Sequence, residues 1–301
     1  MSLLVTGSIG IDSVTTPHGS VSDVLGGASV YFSFAASYYT RVRLVGVVGE
    51  DFPAEFRALL ESRDIDLEGL EVRKGSRTFR WTGQYTGDMN EARTLDVALN
   101  VLAEDAPSVP PAFADSEVVF LANTHPALQR ALLSKVRAPK LTVCDTMNLW
   151  IENEREELGK TLALVDGVII NDAEARMLTD EQNLIRAADR LLGLGPRFAV
   201  VKKGEHGAML MTEEGPTVIP AYPTRNVVDP TGAGDSFAGG MMGYLASIGN
   251  YGGQALRSAL LRGTIASSFT IEAFSLDRVL QVSRRDVDHR IRQFGDMLRI
   301  D

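Results

Sequence analysis

VVDPTGAGDSFAGGMMGYLAS, residues 227–247, decides how the rest of the chain is read. Its segment 229–235 sets an aspartate at each end of a turn built from Pro230, Thr231, Gly232, Ala233 and Gly234, and a small, apolar run follows. Proline fixes one backbone angle and the glycines free their neighbours to turn sharply, so successive N–H groups point out of the first turn of a helix. Those unpaired N–H groups and the positive end of the helix dipole favour a phosphate or a developing oxyanion. Asp235 puts a negative charge into the same turn. A plain reading makes it a helix cap, with Ala238, Gly239 and Gly240 allowing close helix packing. A chemical reading has the N–H groups hold a transferring phosphoryl group while Asp235, kept charged by the helix terminus, accepts the proton of an attacking hydroxyl.

The whole chain narrows the choice. Its 301 residues, 45% hydrophobic and 23% charged, have the balance of a globular protein able to bury a sizeable core. The 30 basic and 39 acidic residues leave a charge of −9 with no long basic block, which disfavours a nucleic-acid partner. Cys144, the only cysteine, lies in the apolar KLTVCDT and reads as a buried structural thiol. The opening MSLLVTGSIGID lacks a basic n-region and reads as a first strand rather than a signal peptide. No apolar run approaches the roughly 20 residues of a membrane span. The expected place is the cytoplasm, without membrane contact.

Continuously apolar runs at 3–10, 43–49, 118–123, 141–146, 167–172, 198–204 and 207–212 read as strands buried on both faces, the mark of a parallel sheet. Helical spacing fills 29–39, 53–63, 126–136, 152–165 and 181–192, and helices are expected again over 233–248, 252–270 and 285–299. The alternation predicts an α/β fold, a doubly wound, mostly parallel central sheet with helices on both faces. Residues 12–25 and 76–101 break the rhythm with Thr-, Val- and Tyr-rich stretches and turns, and read as strands outside the main sheet. With no linker or repeat, residues 1–301 are expected to form a single domain carrying a small β excursion.

Neither a G-x-x-x-x-G-K-[ST] loop nor an N-terminal dinucleotide fingerprint is present, which disfavours P-loop NTPases and ordinary Rossmann dehydrogenases. Asp229-Pro-Thr-Gly-Ala-Gly-Asp235 resembles the D-T-x-G-A-G-D signature of the ribokinase-like, phosphofructokinase-B-type carbohydrate kinases, with Pro230 where the family has Thr. Length, strand order and late helices suit that family across essentially the whole chain. The resemblance implies an ATP-dependent kinase that moves the γ-phosphoryl group to a hydroxymethyl group of a sugar. Asp235 would be the base, with Gly232, Ala233 and Gly234 as anion hole. A nucleoside kinase of the adenosine or inosine type is the alternative acceptor class, and a non-catalytic sugar or nucleotide sensor the alternative of another kind.

Further residues fit the resemblance. Asn171 and Glu174, in N-D-A-E after an apolar strand, are similar to the family's N-x-x-E, which places Mg²⁺ and the nucleotide phosphates largely through water; a helix cap would look the same. Lys202, Gly204 and Gly207, in KKGEHG, resemble the turn beside the nucleotide, although a tight hairpin with solvated lysines reads identically. Residues 262–268, RGTIASS, suit an adenine wall or a helix contact. Asp12 after the first strand, with Gly26 and Gly27, resembles the acceptor site, where a carboxylate binds two sugar hydroxyls. The family's Asn a few residues on is absent, and Ser29 and Tyr31 stand near its place. Asp229 and Thr231 match positions that bind a monovalent cation, potassium, in some members. Residues 12–25 and 76–101 would form a β-lid, with Arg80, Trp81 and Gln84 as candidate acceptor contacts and an apolar face through which two copies pair. Asp145 and Asn148 lie where the sheet's crevice is expected.

Overall fold

The first strand, β1 (Leu3–Thr6), stops short of the apolar run 3–10 because the chain leaves the sheet at Gly7, where a β-carbon would lie 2.7 Å from that of Ala122. It climbs through β2 (Gly10–Thr16) and returns through β3 (Gly19–Gly26) to α1 (Ala28–Ala36), β4 (Val42–Gly49), α2 (Ala54–Glu61) and β5 (Ile65–Arg73). A second departure forms β6 (Phe79–Tyr85) and β7 (Ala92–Ala98). From β8 (Val118–Leu121) strands and helices alternate: α3 (Pro126–Leu133), β9 (Leu141–Cys144), α4 (Asn148–Asn153), α5 (Arg155–Leu162), β10 (Gly167–Asn171), α6 (Asp172–Thr179), α7 (Leu184–Leu192) and β11 (Phe198–Lys202). The hairpin β12 (Ala208–Thr212) and β13 (Gly215–Ile219) precedes α8 (Ala233–Ile248), α9 (Gly253–Thr270), α10 (Asp277–Gln281) and α11 (Arg284–Met297). The computed structural model describes residues 1–299.

Nine strands form the main sheet in the order β13-β12-β11-β10-β9-β8-β1-β4-β5, parallel from β11 through β5, with β12 and β13 antiparallel at one edge. Continuous apolarity has a direct cause here. Leu3 and Val5 of β1, Ile169 of β10 and Val200 of β11 join one core, with α1, α8 and α9. Leu4, Val168, Ile170, Ala199 and Val201 join the other, with α3, α5 and α7. Side chains alternate faces, so a strand covered on both sides needs apolar residues at every position.

Three features depart from the expectations. Strands β5 and β13 were not among the expected ones: they are the two edges, their residues alternate buried with exposed, and the criterion of unbroken apolarity passes over them. The helix expected over 152–165 is two, because Glu154 leaves the helical region at φ −132° and ψ 32° between α4 and α5. Helix α6 also begins directly on β10, in a stretch read only for its polar residues.

The second sheet has the order β3-β2-β6-β7 and draws on the two expected excursions, 10–26 and 79–98. It holds a small apolar cluster of its own, Val14, Tyr85 and Met89, with Val21, Trp81 and Val227 packed against it.

Candidate active site

Helix α8 opens at Gly232, which is left-handed at φ +73°. A β-carbon there would also fall 2.2 Å from the Tyr31 ring, which lies beneath the turn. Further along, the glycines serve packing: a β-carbon on Gly239 would meet the Phe32 carbonyl at 2.2 Å, and one on Gly240 would meet Ala266 at 2.6 Å. Both readings of the stretch therefore apply, to different turns of one helix. Within the turn the Ala233 N–H donates to the Pro230 carbonyl (3.1 Å), so Ala233, expected in the anion hole, points its amide inward. The Gly232 and Gly234 amides have no acceptor among the described residues and remain available to an anion.

Asp235 shares this mouth with residues from the ends of β9, β10 and β11. A β-carbon on Gly234 would lie 2.7 Å from Nζ of Lys202, so the ammonium lies across the turn. Burial raises the Asp235 carboxyl above its usual range, while Lys202 and its own amide pull it back. Removal from water thus acts against the helix terminus expected to favour the charged form, and Lys202 acts with that terminus. Asp145, at the end of β9, is pushed well up by burial and then by Asp235. Its Oδ1 and the Thr146 hydroxyl are buried without a partner. Unpaired buried polar atoms are costly, and several aimed at one crevice mark a place built for a polar ligand.

On the other side Asp12 lies against Gly26, where a β-carbon would be 1.8 Å from Oδ2. Gly27, at φ +103°, turns its backbone over Ser8 and directs its N–H to the Asp12 carboxylate. Burial, then Asp229, raise Asp12 to about 7 against the pull of the Gly27 amide, with Asp235 adding to the rise. Its Oδ1 has no partner. Asp12, Gly26 and Gly27 therefore form one unit facing Asp235 across a shared space. Asp229 closes the floor by accepting from the Thr231 N–H at 2.9 Å and the Ser275 N–H at 3.4 Å. Above, the Tyr85 hydroxyl of β6 stands 3.5 Å from that of Thr231.

The nucleotide-side expectations divide. Asn171 and Glu174 form a reciprocal cap: the Glu174 N–H donates to Asn171 Oδ1 (2.7 Å) and the Asn171 N–H to Glu174 Oε2 (2.8 Å). The plain reading thus holds in the geometry, and it also fixes the Glu174 carboxylate near Lys202. Gly204 and Gly207 are left-handed at φ +53° and +84°, and a β-carbon on Gly204 would lie 2.8 Å from Oδ1 of Asn90, in the β6–β7 turn. Gly263, Thr264 and Ala266 of RGTIASS are buried, and Gly263 and Ala266 press on Phe237 and Gly240 of α8 as a helix contact. Arg80 pairs with Asp23 and Asp51, and strand alternation turns it and Gln84 away from Trp81. Sequence reasoning read Tyr85 only as part of an apolar lid face and gave no role to Asn90, because their placement depends on how the small sheet docks. A groove of about 530 Å³ beside α4 and α6 lies apart from this crevice, and its Arg155 and Arg176 are paired with Asp180 and Asp172.

The pfkB family carbohydrate kinase model matches residues 7–281. The chain belongs to this family. The kinase is 29% identical over 252 residues to the cytidine kinase of Thermococcus kodakarensis, spanning 81% of this chain and 88% of that one. It is 26% identical over 273 residues to the nucleoside kinase of Methanothermobacter thermautotrophicus, covering 89% and 84%. Its fold matches that of Burkholderia thailandensis nucleoside kinase in complex with inosine at a TM-score of 0.76, with 20% identity over 97% of both chains. The kinase is therefore an ATP-dependent phosphotransferase acting on a sugar or nucleoside.

Proposed function

We propose that the kinase phosphorylates the hydroxymethyl group of a ribose-bearing acceptor, with Asp235 as general base. The observation that carries this is the facing pair Asp12 and Asp235: one buried carboxylate with an unpartnered oxygen for acceptor hydroxyls, the other at a helix mouth with two free amides. Asp12 accepts hydrogen bonds from vicinal hydroxyls and fixes the sugar so that its primary hydroxyl reaches Asp235. Asp235 takes that proton as the oxygen attacks the γ-phosphorus, and burial, which raises its pKa above the usual carboxylate range, makes it a stronger proton acceptor. The Gly232 and Gly234 amides and the Lys202 ammonium balance the charge on the transferring group.

Among the described residues no group of three or more His, Cys, Asp or Glu side chains is arranged to hold a metal ion. Mg²⁺ would be bound mainly through water and phosphate oxygens, with Glu174 and Asn171 orienting its shell, where it would neutralise phosphate charge. Gly204 and Gly207 would let the β11–β12 turn approach the nucleotide. Asp229, buried with no basic side chain in contact, supports a monovalent cation beside it and Thr231, tested by activity in potassium against choline chloride. We take residues 1–301 as one kinase domain in the cytoplasm, where ATP is made, and the small sheet as its lid. Leu95 and Val97, half exposed on edge strand β7, support pairing of two copies through the lid, which light scattering in solution checks.

The decisive assay is ADP release from Mg-ATP over pentoses, hexoses, their phosphates and nucleosides. Acceptor-stimulated release confined to ribose-bearing compounds is the expected result. No stimulation by any acceptor would favour a binding module instead.

A further inference from the structure

Strand β6 runs parallel to β2 with Trp81 in register with Asp12, and in-register neighbours in a sheet project from the same face about 4.8 Å apart. Trp81 therefore stands beside the carboxylate proposed to hold the acceptor hydroxyls. Tyr85, two pleats further along the same face, reaches Thr231, so this face looks onto the crevice. Three contacts fix the indole. Its N–H donates to the Thr94 hydroxyl of β7 at 3.1 Å, which satisfies its one polar group sideways. The outer edge of its benzo ring occupies the space over Gly83, where a β-carbon would lie 2.0 Å from Cη2, so residue 83 must be glycine for the ring to lie along the strand. The indole also packs against the apolar cluster of Val14, Tyr85 and Met89, which Val21 and Val227 border as well.

An indole held in place, with its N–H already used, offers a π surface and no hydrogen bond. What lies against it must be flat and apolar in the direction of the ring. A second sugar or a phosphate brought here would bury hydroxyls or charge among valines with nothing to pair them, at a cost of a few kcal/mol for each unpaired group. A nucleobase meets every condition: it is planar, it is attached to the sugar carbon next to the diol that a carboxylate holds, and its polar edge can remain turned to solvent.

We propose that Trp81 is the base-recognition residue of this kinase, stacking the heteroaromatic ring of a nucleoside whose ribose is held by Asp12. The proposal rests on the kinase reading above and narrows its acceptor from any ribose-bearing compound to nucleosides. Stacking reads a ring and ignores its edge, so purine and pyrimidine nucleosides should both be accepted.

The test compares wild type, Trp81→Ala, Trp81→Phe and Gly83→Ala on cytidine, inosine and free ribose. Trp81→Ala should raise KM for both nucleosides about 10-fold or more, with the loss on KM rather than kcat. Trp81→Phe should recover most of that loss, and Gly83→Ala, which displaces the ring, should reproduce it. Ribose kinetics should not follow the nucleosides. An equal rise for ribose and nucleosides would mean that the indole packs on the sugar itself, and an unchanged nucleoside KM would remove Trp81 from recognition; either result overturns the proposal. Tryptophan fluorescence titrated with cytidine in the absence of ATP gives a second readout: quenching in wild type, lost in Trp81→Phe. It separates the two readings, because a protein with no acceptor-stimulated ADP release but with Trp81-dependent quenching has lost the kinase assignment while keeping the base site. Absence of quenching alongside nucleoside phosphorylation would do the reverse.

Discussion

The mouth of α8 and the small sheet both hold parts of one site, yet they are built in opposite ways. At the helix mouth every glycine is pressed: Tyr31 lies under Gly232, Lys202 over Gly234, and α1 and α9 flank the following turns at backbone contact. The small sheet has one cluster of three buried apolar side chains, and every residue from Ala92 to Val97 on β7 is exposed. Phosphoryl transfer needs donors that do not reorganise, so its groups sit where displacement is resisted from all sides. Acceptor capture needs entry and exit; on the proposed reading Asp12 is buried where the small sheet joins the main core, and Trp81 sits on the part least tied down.

The sharpest way to break this comparison is at the base. Asp235→Asn should lower kcat about 10² to 10⁴-fold with little change in KM for ATP, because only proton transfer is removed. Turnover near wild type would leave positioning alone as the source of rate and end the acid–base assignment. Stability probes the contrast next. Gly232→Ala and Gly87→Ala both force alanine into a left-handed conformation, at φ +73° and +60°. The first adds a collision with Tyr31, while nothing lies within 4 Å of the second. Denaturant melts should show a loss of about 3 kcal/mol or more at Gly232 and about 1 kcal/mol at Gly87 in the β6–β7 turn. Equal losses would mean that the helix mouth is no more tightly packed than the turn.

Asp12 supplies a pH test. With its carboxyl raised from 3.8 to about 7, the folded chain keeps a proton there that the unfolded chain releases near pH 4. The stability this gives is complete below about pH 4 and is lost as pH rises through about 7. Asp12→Asn, always neutral, should therefore gain on wild type in Tm between pH 5 and pH 8 without acceptor, by a few degrees at about 2 °C per kcal/mol. A constant difference across that range would mean that Asp12 titrates normally. The smallest effect is expected from Arg80→Ala. Its pair with Asp23 is exposed and should contribute less than about 1 kcal/mol, and acceptor KM should not move. A marked rise in KM would show that Arg80 swings into the site.

What the sequence made legible follows the same division. Interior strands announce themselves because burial on both faces demands an unbroken apolar run, and the late helices α8, α9 and α11 lie within two residues of their expected ends. Edge strands β5 and β13, covered less completely, carry an alternating pattern that the same criterion misses. In the site, the turn 229–235 was readable because its glycines have a local conformational cause. Where the Ala233 amide points was not readable, because a single hydrogen bond to Pro230 decides it. Trp81 was readable as a candidate but not separable from Arg80 and Gln84, since the face each presents depends on the register of β6 against β2. Asn90 meets Gly204 across more than 100 residues of chain, and no local pattern encodes such a meeting.

The separation of the two sheets also bears on how such a protein diversifies. The small sheet carries Trp81 in register with Asp12, and Gly83 one step on, around a cluster of its own, while the turn proposed to handle phosphate is locked into the main core. Substitutions at Trp81 and along its face can alter what is accepted without disturbing the backbone around Gly232. Changes beneath that turn alter stability before they alter choice. On the proposed reading, the face of the small sheet is where a descendant of this chain would acquire a different acceptor, and the mouth of α8 is what it would inherit unchanged.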